Sequence, residues 1–255
     1  MILHARDEGE GPVVVLLHGL FGAGRNLGVL ARGLVGRARV VSLDLRNHGE
    51  SGHAAGMGYA VMAADVAESL AALGVERAAV VGHSMGGKTA MMLALTRPAL
   101  VERLAVLDIA PVTYDEGHGH AGYVAAMRAL ALTPDLGRAA ADAALAGAVP
   151  EAPLRAFLLN NLVLGERPQW RLGLEEIAAS LSDLVAWPDA GLAAYPGPAL
   201  FLRGGASDYV TAAAEPEILR LFPRAEIATV DGASHWLHAE KPREVVAALQ
   251  EFLSA

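Results

Sequence analysis

Val80-Val81-Gly82-His83-Ser84-Met85-Gly86-Gly87 decides how this chain is read: a GxSxG sequence lies directly after an apolar run and directly before a run with helical spacing. A strand that turns sharply into a helix forces its turning residue into a strained backbone conformation. Small residues two before and two after let the neighbouring chains pass closely. Gly82 and Gly86 occupy those positions. The turn lifts the Ser84 hydroxyl clear of the sheet. It also points the backbone N–H of Met85, at the start of the helix, toward the place where a negative oxygen would form. Because GxSxG also arises by chance in a chain with 28 glycines, the partners of the serine must decide.

The same residues admit a second reading, since Gly82 to Thr89 also spells GxxxxGKT, the phosphate-cradling pattern of a nucleotide-hydrolysing P-loop, with Lys88 and Thr89 in register. Leu104 to Asp108 adds an apolar strand ending in an acid that could hold magnesium. Against this, a phosphate loop normally follows the first strand of its sheet, and here strand-like runs come earlier. The pattern also leaves the late histidines without a role. Lys88 is expected one turn into the helix, beside its neighbours rather than over a phosphate.

The 255 residues suffice for one large domain, and 53% hydrophobic with 19% charged residues is the composition of a well-packed globular protein. No run reaches the roughly 20 apolar residues of a membrane span, and residues 1–7 lack the pattern of a signal peptide, so a cytoplasmic protein is expected. With no cysteine there is no disulfide framework, thiolate metal site or cysteine nucleophile. The net charge of −8 forms no basic stripe, which excludes nucleic acid or an anionic membrane surface as the main partner. The expected partner is a small molecule, and the expected assembly a monomer or small homo-oligomer. No cofactor is called for.

Apolar runs at Val13 to Leu17, Ala38 to Leu43, Ala78 to Val81, Leu104 to Ile109, Ala199 to Leu202 and Glu226 to Val230 alternate with helical patterns. The helical patterns are Asn26 to Val35, Tyr59 to Leu73, Ser84 to Leu95, Ala213 to Leu221 and Pro242 to Leu253. This alternation predicts a doubly wound, mostly parallel α/β sheet. It fails between residues 112 and 196, where helical patches at Tyr123 to Leu132, Asp135 to Gly147, Pro153 to Leu162 and Leu174 to Leu184 are separated by Pro and Gly, with no convincing strand. We therefore expect a core of residues 1–111 and 197–255 and a helical cap insertion of 112–196, roofing the cleft at the carboxyl ends of the strands. Tyr123, Met127, Phe157, Leu158 and Trp187 would line or support a pocket beneath it.

His18-Gly19-Leu20-Phe21-Gly22 follows an apolar run, and the N–H of Leu20 would converge with that of Met85 on a developing oxyanion. His18 precedes Ser84, the wrong order for a base, and is expected to brace the loop. Asp44 to Gly52 reads as structural support, His48 included. The base is expected from Asp231-Gly232-Ala233-Ser234-His235-Trp236, between the last strand and the last helix, with His235 taking the serine proton and returning it to the leaving group. His238 completes an HxxH spacing that a metal could use, but a third ligand is lacking unless His118 or His120 supplies it; no metal is expected. Two acids keep the order Ser, Asp, His: Asp108, at a strand end, and Asp208, after the next strand.

HGLFGAGRNLGVLA, DLRNHGESGH, GHSMGGKTAM, LDIAPVTY and GASHWLHAEKP together resemble the α/β-hydrolase fold, and within it the YbfF-like esterases, over nearly the whole chain. The resemblance implies esterase or thioesterase activity on short acyl chains. The acid position usual in that fold coincides here with Ser207, one residue before Asp208, and in the esterase group the acid comes from the DIAPV strand. On that basis the resemblance selects Asp108. A serine at the elbow excludes dehalogenases and epoxide hydrolases, which use Asp there. Lactonases, carbon–carbon bond hydrolases and acyltransferases share the constellation, and a catalytically dead receptor would lack part of it.

Overall fold

The computed structural model describes residues 1–115, 119–188 and 191–254. Alternation within the strands sets the architecture. In β2 (Val13–Leu17), Val15 and Leu17 face one apolar layer while Val14 and Leu16 face the other. Period-2 spacing thus gives the sheet two buried faces, each of which needs a cover of helices.

Among the described residues the main sheet has seven strands in the order β1-β3-β2-β4-β5-β8-β9. They are β1 (Ala5–Glu8), β2, β3 (Arg39–Leu43), β4 (Ala78–His83), β5 (Val101–Leu107), β8 (Ala199–Gly204) and β9 (Ala225–Val230). Every pairing is parallel except that of β1 with β3. The predicted parallel core is therefore present, with an added antiparallel edge.

Helices α2 (Tyr59–Ala72), α3 (Met85–Thr96) and α9 (Glu215–Leu221) fill one face through Met62, Val66, Met91 and Ile218. Helix α1 (Gly28–Leu34), the short α10 (Leu237–Glu240) and α11 (Pro242–Ser254) fill the other through Leu30, Leu34, Leu237 and Leu249. Burying each such leucine is worth about 1.5–3 kcal/mol. α3 is buried from Met85 to Leu95, so the elbow that starts it is anchored by the packing of its helix.

Between β5 and β8 lie α4 (His120–Ala129), α5 (Arg138–Leu145), α6 (Ala152–Leu159), α7 (Leu174–Ala179) and α8 (Leu181–Val185). A two-stranded antiparallel ribbon of β6 (Leu162–Val163) and β7 (Gln169–Trp170) joins them, a strand pair where none was expected. The expected helix from Leu174 to Leu184 is divided at Ser180, which sits at φ −111° between α7 and α8. Val124, Met127, Leu158 and Ile177 of this segment join the α2–α3 side of the core. Among the described residues no helix is long and apolar enough to cross a membrane.

Candidate active site

Ser84 sits between β4 and α3 at φ 52°, ψ −119°, a left-handed conformation that a side-chain-bearing residue adopts only when its surroundings impose it. Those surroundings are backbone. A Cβ on Gly82 would collide with the Gly86 carbonyl, and one on Gly86 with the carbonyl oxygens of Leu17 and His18. The Ser84 N–H donates to the Leu107 carbonyl (3.0 Å), and its own carbonyl receives the Lys88 N–H (3.0 Å) as the first bond of the helix.

The Ser84 hydroxyl lies 3.0 Å from His235 Nε2, and His235 Nδ1 lies 2.8 Å from Asp108 Oδ2. A ring nitrogen facing a carboxylate carries the proton, which leaves Nε2 as the acceptor for the serine hydroxyl. Asp108 is wholly buried at the end of β5 and takes φ 52°, a conformation that aspartate tolerates better than most residues. Its Oδ1 accepts the Gly204 N–H (2.8 Å) and its Oδ2 the Ser207 hydroxyl (2.5 Å). Asp208 is exposed, and the Nδ1 bond of His235 goes to Asp108 instead. Ser207, at the position where the fold usually places its acid, thus supplies a neutral donor to a carboxylate on the neighbouring strand. Position was its signal in the sequence, and only an acid was sought there.

Two neighbours hold His235 besides Ser84 and Asp108. Tyr209 stacks on it at 3.9 Å between centroids and 17° between planes. His83, the variable residue inside GxSxG, donates from Nε2 to the His235 carbonyl (2.9 Å). Burial pushes His83 well below the ordinary histidine value, and it holds His238, 4.4 Å away ring to ring, at about 4. Both are therefore neutral braces at neutral pH. Neither Tyr209 nor His83 was singled out in the sequence, because their partners lie far along the chain.

Leu20 is at the tip of a tight turn closed by the Gly22 N–H on the Gly19 carbonyl (3.0 Å), with Phe21 at φ 62°. Two buried histidines fix it. His18 Nε2 accepts the Leu45 N–H and its Nδ1 donates to the Gly19 carbonyl; His48 Nε2 accepts the Phe21 N–H and its Nδ1 donates to the Arg46 carbonyl. Burial lowers the pKa of His18 and takes that of His48 to about 3, so both remain neutral as these bonds require. His18 and His48 hold backbone, as the sequence led us to expect. Asp44 likewise accepts the N–H groups of Gly24 (2.6 Å) and Glu50 (2.9 Å), tying its own loop to the one after β2.

Lys88 is buried, at 1% exposure. Its Nζ donates to the carbonyls of Val185 (3.0 Å) and Ala186 (2.9 Å), the geometry of a buried tie rather than of a P-loop. His238 packs on His83, and among the described residues no group of three or more His, Cys, Asp or Glu side chains is placed to hold a metal ion. His118, one of the candidate third ligands, lies outside the described residues.

A cavity of about 240 Å³ opens over Ser84 and His235, walled by Tyr123, Phe157 and Trp236. Met127 and Leu158 are fully buried in the core and do not line the cavity, and Trp187 packs on the Tyr59 ring. A strained serine at a strand-to-helix turn, bonded to a late histidine at the carboxyl edge of a mostly parallel sheet, is the arrangement of an α/β hydrolase. The alpha/beta hydrolase fold family is matched over residues 12–242, and the chain belongs to that family. It is 44% identical to the sn-1-specific diacylglycerol lipase ABHD11 of Mus musculus over 95% of this chain and 81% of that one. It is 36% identical to Esterase YbfF of Escherichia coli K12 over 98% and 96%, the group its motifs resemble. Among solved structures, a marine microorganism esterase at 34% identity superposes with a TM-score of 0.95, covering 98% of this chain and 99% of the other.

Proposed function

We propose that this protein is a serine hydrolase that cleaves small carboxylic esters and thioesters through an acyl-enzyme on Ser84, and that residues 112–196 act as its cap. Relatives named as esterases and lipases support ester hydrolysis as the reaction class. One observation carries the mechanism: the continuous hydrogen-bonded path from the Ser84 hydroxyl through His235 to Asp108.

In this reading His235 Nε2 removes the hydroxyl proton as Ser84 Oγ attacks the acyl carbon, and the carbonyl electrons move onto oxygen. The N–H groups of Leu20 and Met85 receive that oxyanion. Collapse of the tetrahedral species breaks the bond to the leaving oxygen or sulfur, which takes the proton from His235 and departs. Water then repeats the sequence on the acyl-enzyme, releasing the acid and restoring Ser84. Asp108 keeps the Nδ1 proton in place and stabilises the imidazolium. It does so from a dry site where its charge is supported by Gly204 and Ser207.

A fluorophosphonate probe tests this directly. Wild type is expected to be labelled on Ser84 and Ser84→Ala to be unlabelled, with kcat lower by several orders of magnitude. Undiminished ester turnover in Ser84→Ala would end the proposal.

A further inference from the structure

Two cavities meet at Ser84. The larger, about 240 Å³, is lined by His235 and, beyond it, by Trp236 and His238. The smaller, about 40 Å³, shares Leu20, Ser84 and Tyr209 with it and is otherwise lined by residues such as Met85, Lys88, Ile109 and Tyr114, and His235 has no part in its lining. On the acyl-enzyme reading above, the leaving atom must reach His235 Nε2 to be protonated, so the leaving group belongs in the larger cavity. The carbonyl oxygen faces the N–H groups of Leu20 and Met85, and the acyl tail is left with the smaller one.

The far wall of that smaller cavity is made by Leu184 and Val185, from the segment between β5 and β8. It is tied down residue by residue. The Tyr59 hydroxyl donates to the Leu184 carbonyl (2.6 Å) and the Tyr114 N–H to that of Val185 (3.0 Å). The Trp187 N–H donates to Thr113 Oγ1 (3.0 Å). Lys88, from the first turn of α3, grips two consecutive carbonyls, those of Val185 and Ala186, and its Nζ lies 4.8 Å from the centre of the Tyr114 ring and 5.4 Å from that of Tyr59. An amine at 1% exposure, with carbonyl oxygens and ring faces rather than a carboxylate around it among the described residues, is costly to keep charged unless its position does something. What it does here is join the nucleophile helix to the wall opposite the nucleophile.

We propose that Lys88 is a positioning residue for acyl-chain specificity: its hold on the Val185 and Ala186 carbonyls fixes the end wall of the acyl pocket. Since one water needs about 10–15 Å³ of such space, 40 Å³ admits about three to four heavy atoms, the tail of a propionyl or butyryl group. The larger cavity leaves the alcohol or thiol side much freer in size.

The test compares kcat/KM for p-nitrophenyl acetate, butyrate and octanoate in wild type, Lys88→Met and Leu184→Ala. A second series holds the acetyl group constant and enlarges the alcohol from phenyl to naphthyl. The octanoate-to-acetate ratio is expected to rise at least about tenfold in Lys88→Met and in Leu184→Ala, since each methylene admitted is worth a factor of that order. The alcohol series should change by less than about twofold relative to wild type. Leu184→Ala opens the same wall without touching the lysine and carries the test if Lys88→Met fails to fold. An unchanged acyl ratio in folded variants whose Ser84 still takes the fluorophosphonate would overturn the proposal alone. A shift in the alcohol series instead would overturn the assignment of the two cavities. Absence of Ser84 labelling in wild type would remove the hydrolase reading beneath both.

Discussion

Lys88 should leave a thermodynamic trace that is independent of any substrate. Burial lowers its pKa from the ordinary 10.5 to about 7, whereas in the unfolded chain it titrates like a free lysine. Below pH 7 both states hold the proton and the contribution to stability is constant. Between about pH 7 and 10 the unfolded chain binds the proton and the folded protein does not, so stability rises with pH, at a limiting slope of about 1.4 kcal/mol per pH unit. From pH 7.5 to 9.0, allowing for residual protonation near pH 7.5, the gain is about 2 kcal/mol. Lys88→Met removes this titration and leaves other groups in place. The difference in unfolding free energy, wild type minus variant, should therefore grow by about 2 kcal/mol over that interval in urea titrations at fixed salt. A flat difference would mean that the Val185 and Ala186 carbonyls, with the two tyrosine faces, hold the ammonium fully charged in the folded state, and that the cost assigned to burial is met.

Asp108→Asn is expected to lower kcat by about a thousandfold or more and Asp208→Asn by under about tenfold, with thermal stability of each checked first; the reverse pattern would move the acid to the loop after β8. Ser207→Ala removes a donor to a buried carboxylate, a bond worth about 1.5–3 kcal/mol, so kcat should fall by about tenfold to a hundredfold while KM stays nearly constant. A fall as deep as that of Asp108→Asn would show that the carboxylate itself had been displaced. Gly86→Ala drives a methyl into the Leu17 and His18 carbonyls, which belong to the backbone and cannot turn aside; a loss of about 2–3 kcal/mol is expected, seen as a fall in Tm of about 4–12 °C. An unchanged Tm would mean that the elbow has more room than its backbone contacts allow.

Strands β2, β4 and β8 were legible because they are buried on both faces and read as nearly unbroken apolar runs. β1 was not, since Ala5, Arg6, Asp7 and Glu8 are half-exposed or exposed and only pairing with β3 makes them a strand. The first residues of β5, from Val101, were hidden because Glu102 and Arg103 interrupt the apolar pattern before Leu104, and the strand stops at Leu107 because Asp108 turns to positive φ. The β6–β7 ribbon, two residues a side, is too short to show a period. At the site, Ser84, His235 and the loop of Leu20 lie in local patterns that carry their own geometry. The supports do not. Lys88 meets carbonyls 97 and 98 residues away, and Ser207 meets Asp108 across 99, distances over which no sequence pattern reports a contact.

Setting the carboxylate at the end of β5 divides the loops of this scaffold into those free to drift and those that are not. The loop after β8 supplies the Ser207 hydroxyl and the Tyr209 ring that stacks on His235, so it can change length or composition only beyond Tyr209. Asp108, by contrast, is followed within two residues by Ala110, whose N–H donates to the Tyr114 hydroxyl, which in turn donates to the carbonyl of Tyr209, the residue stacked on His235. The start of the segment between β5 and β8 is thereby part of the frame around the imidazole. Exchanging the segment between β5 and β8 among relatives should succeed when the graft begins after Tyr114 and fail when it begins at Ile109, however well the grafted segment folds.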